Sequence, residues 1–244
     1  MKRILENFVH KRGVEDCKVL AIRDIFQYYG LILNPFMCSG LGSVLFFQYH
    51  KFMLGDNNIP LSTVWGRNAR LNENLCKLLK VNNISHKIED NHKRLELVKR
   101  FIDNGDPVYL ELDGECLKNR EGGNRLRQRF GPASATVVFG YEEKGINTFF
   151  YLTNGVNKKY LKVDGNAVMS AQGIPFLLFG PEKSITVYEI PSIQISYRES
   201  IYESIKIVVE NMLDNKELHI GTKGMLLFAN DYFSMINSCK EEAS

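Results

Sequence analysis

The chain has 244 residues, enough to bury the core of one large domain or two small ones. Hydrophobic residues make up 44% and charged residues 24%, a balance typical of globular proteins and not of disordered ones. The net charge of +3 is too small for the basic surface of a nucleic-acid-binding domain. No apolar run has the length of a signal peptide or a membrane span, so we expect a cytoplasmic protein that binds neither nucleic acid nor membrane.

The N-terminal third begins with a helical pattern. Apolar residues at helical spacing predict a helix from Glu15 to Tyr29, capped by Asp16 or Glu15 and stopped by Gly30. The stretch Cys38–Gly42 reads as a flexible bend. The aromatic run Val44–Tyr49 that follows it reads as a buried strand.

The rest of the chain changes from helical to strand-rich character and back. Helices are predicted at 68–80 and 92–102, strands at 108–112, 135–139, 148–152 and 185–188, and a final helix pair at 198–213 and 222–236. This order predicts an α+β fold with a central antiparallel sheet. We expect a main domain over residues 1–190 and a helical C-terminal extension over 191–244, packed on the same domain.

The five cysteines are an odd number, widely spaced, and none belongs to a CxxC pair. They read as separate thiols in a reducing compartment. No cluster of His, Cys, Asp and Glu has metal-ligand spacing, and the glycines match no nucleotide-binding fingerprint. We therefore expect no metal and no cofactor, and the oligomeric state stays open.

Cys17 stands in the first turn of the first predicted helix. The positive end of a helix dipole stabilises a thiolate there, which favours nucleophilic catalysis. The alternative is a small core residue, as most free cysteines are. A cysteine nucleophile also needs a base, usually histidine, and none of the five histidines stands at the start of a central strand.

The segment Lys118–Arg129 is the most basic stretch of the chain, with five Lys and Arg residues against Glu121 and two adjacent glycines. Such a loop can cover a site or meet an acidic partner such as a phosphopantetheine carrier protein. A solvated charged loop without a partner is the alternative.

Several short motifs occur in an order that resembles a known family. They are Asp16-Cys17 opening a helix that closes on Tyr29-Gly30, then Ser39-Gly-Leu-Gly42, Phe46-Phe-Gln-Tyr49, Gly66-Arg67, Asp106-Pro-Val-Tyr109, Ala135-Thr-Val-Val-Phe-Gly-Tyr141 and Gly221-Thr-Lys-Gly-Met-Leu-Leu-Phe-Ala229. This order resembles the butirosin-biosynthesis acyltransferase family, whose N-terminal domain is similar to a papain-type cysteine peptidase. The resemblance implies a papain-like fold in which the helix carrying Cys17 packs on the sheet.

The resemblance also implies an activity. In that family a cysteine takes an acyl group from a carrier-protein thioester and passes it to a small-molecule amine in a natural-product pathway, with histidine and aspartate completing a triad. Cys17 matches the cysteine, whereas Ser134 stands at the histidine position and Asn154 at the aspartate position. The candidate binding residues for substrate or carrier protein are Gly40, Gly42 and Arg67 in the matched motifs, and Arg125, Arg127 and Arg129 in the basic segment.

Serine at the histidine position leaves three hypotheses, because serine is not a base near neutral pH. The site is degenerate and serves binding or scaffolding, or it recruits another histidine, with His10 and His50 the first to inspect, or the substrate amine acts as the base. A hydrolase that cleaves a peptide or thioester differs only in using water as the acceptor.

Overall fold

The structure is a computed structural model that describes residues 1–13, 16–54, 59–113, 134–155, 159–173, 182–191 and 195–242. Its elements are β1 (Lys2–Ile4), α1 (Cys17–Tyr28), α2 (Pro35–Leu41), β2 (Leu45–Leu54), β3 (Ile59–Arg67), α3 (Leu71–Leu78), β4 (Asn82–Lys87), α4 (Asn91–Asn104), β5 (Val108–Leu112), β6 (Ser134–Lys144), β7 (Asn147–Asn154), β8 (Leu161–Asp164), α5 (Gly165–Ser170), β9 (Ser184–Glu189), α6 (Tyr197–Val209), a π-helical turn (Glu210–Asp214) and α7 (Gly221–Glu242).

The chain divides into two compact units. The first contains residues 1–38 and 80–192, and the second contains 39–79 and 193–244. The predicted boundary at residue 190 stays a prediction. None of the described helices is both long enough and apolar enough to cross a membrane.

The first unit is built on an antiparallel sheet with the strand order β4-β9-β5-β6-β7-β8, and β1 pairs with β6. One face of this sheet carries the main core. Leu110 and Val138 on that face pack with Val98 and Ile102 of α4 and with Met169 of α5. Strand alternation explains the pattern, because every second residue of β5 and β6 points to the same face.

Helix α1 lies against the other face of the same sheet. This face carries Tyr109, Val137 and Tyr188, which alternate along their strands with residues of the main core. Phe26 of α1 packs edge-on against the Tyr188 ring, with ring centroids 5.9 Å apart. Gly155, at the end of β7, has its α-carbon so close to Leu20 that a β-carbon there would lie 2.5 Å from Leu20 Cδ1. The start of α1 is therefore held directly over the ends of β6 and β7.

The second unit combines the β2–β3 hairpin with helices. Phe228 of α7 packs edge-on against Tyr49 of β2, with ring centroids 5.4 Å apart. In α6 the small side chains point inward, where Ser200 Oγ donates to the Leu78 carbonyl at 2.9 Å. Most of the large apolar side chains of α6 are exposed, including Tyr202 and Ile205. The packed side of α6 therefore consists of serines that form hydrogen bonds, and not of large buried side chains.

The fold class is confirmed: the chain is α+β, and a helix that begins at a cysteine packs on a central antiparallel sheet. One local prediction is wrong. The bend predicted at Cys38–Gly42 is helical as far as Leu41, because Asn34 Oδ1 accepts from Met37 N at 2.7 Å and Pro35 starts the helix. The strand predicted at Val44–Tyr49 is present as the first part of β2, where Tyr49 is buried but Leu45 is 60% exposed.

Candidate active site

Cys17 is the first residue of α1, and a side-chain cap fixes that start. Asp16 has extended backbone geometry, and its carboxylate accepts from Lys18 N at 2.8 Å. An aspartate cap satisfies one of the backbone N–H groups that the first turn leaves without helical acceptors. The residue Cys17 is partly exposed at this helix end.

The thiol also meets the sheet. The backbone N–H of Ala135, the second residue of β6, donates to Cys17 Sγ at 3.4 Å. A main-chain donor stabilises negative charge on sulfur, and the helix start acts in the same direction. Two elements far apart in sequence therefore converge on one sulfur atom.

Helix α1 is anchored by a buried ionic network. Asp24 is 1% exposed and accepts from His10 Nδ1 at 2.6 Å and from Arg23 Nε at 3.0 Å. Arg23, 5% exposed, also donates to the Lys11 carbonyl. The segment before α1 is therefore attached to the helix through the His10 ring and the Lys11 carbonyl.

The hypothesis of a recruited histidine can be compared with this geometry. His10 binds Asp24, which lies seven residues after Cys17 and hence about 10 Å further along the helix axis. His50 belongs to the second unit, where its ring lies 5.3 Å from that of His219. Within the described part of the chain, no histidine makes a hydrogen bond to Cys17 Sγ.

Ser134 and Asn154 lie at neighbouring strand ends. Ser134 directly precedes the Ala135 N–H that reaches Cys17 Sγ, and Asn154 is paired with Thr136. Ser134 pairs with Leu112 of the main core and so lies on the core face of the sheet. Side chains alternate along a strand, so the next residue, Ala135, lies on the face that α1 covers. Neither serine nor alanine is a base. The catalytic roles of Ser134 and Asn154 stay predictions.

The predicted binding residues are distributed differently. Gly40, Gly42 and Arg67 all belong to the second unit. The Gly42 carbonyl accepts from Asn74 Nδ2 at 3.3 Å, and the Arg67 guanidinium lies 5.4 Å from the Trp65 ring centroid. Arg125, Arg127 and Arg129 lie outside the described residues. The binding roles of all six stay predictions.

An ion pair that the sequence reasoning missed lies beside Cys17. Lys18 Nζ is 2.6 Å from Glu111 Oε1, and Tyr109 OH donates to the same oxygen at 2.8 Å. Glu111 is directly opposite Ala135 in the β5–β6 pairing. In sequence, Glu111 reads only as the polar residue of a short strand, and only the pairing register brings it to the site.

Two other thiols lie in different surroundings. Cys38 is completely buried and Cys76 is 2% exposed, and burial raises the pKa of each thiol to about 12. Both are therefore protonated and inert near neutral pH, as expected for small core residues.

This contrast predicts the pattern of alkylation. In the folded protein at pH 7.5, we expect iodoacetamide to modify Cys17 and to leave Cys38 and Cys76 unmodified. Peptide mapping by mass spectrometry measures each site, and the urea-unfolded protein, in which all three react, is the control. An unmodified Cys17 in the folded protein would show that the thiol is not accessible.

Metal chemistry has no candidate ligands in the described residues, where no group of three His, Cys, Asp or Glu side chains could hold an ion.

The fold and the thiol at the start of α1 define the class: an α+β protein that presents a cysteine at the start of a helix packed on an antiparallel sheet, a placement that suits cysteine-type acyl transfer or hydrolysis. Residues 16–151 match the family model of butirosin biosynthesis protein H, N-terminal, which is more than half of the chain. The chain belongs to this family. No curated protein matches it in sequence.

Two solved structures resemble the chain. The peptidase domain of Streptococcus ComA, a bi-functional ABC transporter involved in a quorum sensing pathway, is 12% identical with a TM-score of 0.43, covering 75% of this chain and 97% of that one. SERA5E from Plasmodium falciparum is 16% identical with a TM-score of 0.29, covering 46% of this chain and 49% of that one. Both TM-scores are low, so the fold class stands on the helix–sheet geometry itself.

Proposed function

We propose that this protein is an acyl-transfer enzyme in which Cys17 takes an acyl group from a carrier-protein thioester and passes it to an amine. The observation that carries the proposal is the position of Cys17 Sγ, at the start of α1 and 3.4 Å from the Ala135 N–H. Membership in the butirosin biosynthesis protein H family supports acyl transfer in a biosynthetic pathway.

The chemistry takes place in two balanced steps. The Cys17 thiolate attacks the carbonyl of the donor thioester, and the donor leaves as a thiol after taking up a proton, which gives an acyl-Cys17 thioester. An amine then attacks this thioester, loses one proton, and expels the Cys17 thiolate. The start of α1 and the Ala135 N–H supply main-chain donors near the sulfur, where negative charge develops.

A small-molecule assay tests the activity. The acetyl and butyryl thioesters of N-acetylcysteamine imitate the end of a phosphopantetheine arm, and n-butylamine serves as the acceptor. We expect the wild-type protein to form the N-butyl amide faster than the uncatalysed mixture, measured by liquid chromatography and mass spectrometry. Release of free acid in place of amide would assign the protein to the hydrolases.

A second candidate function is binding without catalysis, favoured by the serine at position 134. A degenerate member would hold a carrier protein or partner enzyme without transferring the acyl group. Absence of both amide and acid in the assay, together with retained carrier-protein binding, would support this function.

The basic segment Lys118–Arg129 provides a test of carrier-protein binding, argued from its charge in the sequence alone. We expect the triple change of Arg125, Arg127 and Arg129 to Glu to weaken binding of an acidic acyl carrier protein at least tenfold, because each reversal replaces attraction by repulsion. Biolayer interferometry at two salt concentrations measures the affinity, with Arg100→Glu on the exposed side of α4 as control. Unchanged binding would remove this segment from the carrier-protein interface.

A further inference from the structure

The Lys18–Glu111 pair joins the start of α1 to the strand beside the one that contacts the Cys17 sulfur. Lys18 directly follows Cys17 on α1, and Glu111 lies on β5 opposite Ala135, whose N–H holds the Cys17 sulfur. Neighbouring strands are about 4.8 Å apart, so the Glu111 backbone is one strand away from the backbone that touches Sγ. The Glu111 carboxylate is therefore on the face of the sheet that α1 covers, and Lys18, the neighbour of Cys17, contacts it.

The pair is accessible rather than part of the core. The Lys18 side chain is 20% exposed and the Glu111 side chain 24% exposed. Both hydrogen-bonding partners of Glu111 among the described residues, Lys18 Nζ and Tyr109 OH, use Oε1. A carboxylate has two oxygens, so Oε2 can accept a further donor.

From this geometry we infer that Glu111 is the acceptor subsite: it binds the incoming primary amine as its ammonium ion and takes up the proton that the amine loses on attacking acyl-Cys17. The inference rests on the proposed function. Lys18 is the internal cation that occupies the carboxylate before the acceptor arrives. The described residues place no histidine at the thiol, and Glu111 supplies the proton acceptor that a histidine would otherwise provide.

The proton balance of the second step follows. The ammonium ion first gives a proton to solvent, and the neutral amine nitrogen attacks the thioester carbonyl. The tetrahedral adduct then carries a positive nitrogen, whose N–H bond breaks as the proton passes to the Glu111 carboxylate. The carbon–sulfur bond to Cys17 breaks, the thiolate is regenerated, and Glu111 returns its proton to solvent.

The two half-reactions separate this role from a structural one. With acetyl-N-acetylcysteamine as donor, we expect Glu111→Gln to acylate Cys17 at the wild-type rate, because the first step needs no amine. We expect aminolysis of the acyl-enzyme by n-butylamine to fall about 100-fold, the usual contribution of a positioned proton acceptor. Glu182→Gln is the matched control, since Glu182 also forms a lysine ion pair, at 2.8 Å from Lys87 Nζ.

Aminolysis by Glu111→Gln within twofold of wild type would overturn the subsite alone. A wild-type protein that forms no acyl-enzyme would overturn the proposed function and the subsite with it. If Glu111→Gln does not fold, Lys18→Met decides: removal of the competing cation lowers the amine concentration for half-maximal aminolysis about tenfold if Glu111 binds ammonium. An unchanged half-maximal concentration in Lys18→Met would contradict the inference.

Discussion

Cys17→Ala is expected to abolish amide formation, with the turnover number at least 1,000-fold below that of the wild-type protein. The removed sulfur lies at the start of α1 and accepts the Ala135 N–H. Without it no covalent acyl-enzyme can form. We expect the fold to persist, because Cys17 is partly exposed and alanine is a good helix former.

Cys38→Ala is the matched control for this experiment. Its thiol is buried and has a pKa raised to about 12, so its loss removes packing but no reactive group. We expect Cys38→Ala to keep the wild-type turnover number and to lower the free energy of unfolding by about 1 kcal/mol. Full amide formation by Cys17→Ala would place the chemistry at another residue.

Asp24→Asn is expected to destabilise the protein by roughly 3–5 kcal/mol, because it leaves the buried Arg23 guanidinium without its carboxylate. For a protein of this size, such a loss lowers the melting temperature by about 10 °C. The residue belongs to α1, so the same change loosens the helix that carries Cys17. Differential scanning calorimetry measures the effect.

Glu96→Gln provides the comparison for Asp24. Glu96 pairs with Lys99 at 3.0 Å on the surface of α4, and we expect its neutralisation to cost less than about 1 kcal/mol. If the two variants melt at the same temperature, the His10–Asp24–Arg23 network does not anchor α1.

Helix α1 shows what a sequence can establish by itself. Its apolar spacing, its aspartate cap and its terminal glycine are all local signals, and they predict both the helix and the position of Cys17 within it. The strongest strands of the central sheet are likewise visible, because β-branched and aromatic residues mark them.

Strands with weak local signals were not predicted. β4 (Asn82–Lys87) is mostly polar and exposed, so its sequence gives no clear strand pattern; among the described strands it pairs with β9. It forms because the β9 register supplies the hydrogen bonds. The serine and glycine of α2 are typical of a bend, and the sequence gives no sign that Asn34 caps a helix there.

The site was only half visible for the same reason. Cys17 carries a local signal, but Glu111 acquires meaning only when β5 pairs with β6 and places it opposite Ala135. His10 and Asp24 read separately as ordinary polar residues, although their 2.6 Å contact is buried. Pairing register and burial are properties of the folded chain, and no short segment encodes them.

The most direct test of the account is the intact mass of the protein after brief exposure to acetyl-N-acetylcysteamine without any amine. We expect the wild-type protein to gain the mass of one acetyl group, and peptide mapping to locate it on the peptide that contains Cys17. Addition of n-butylamine should then remove the adduct as the amide. A wild-type protein without an adduct, or an equal adduct on Cys17→Ala, would contradict acyl transfer through Cys17.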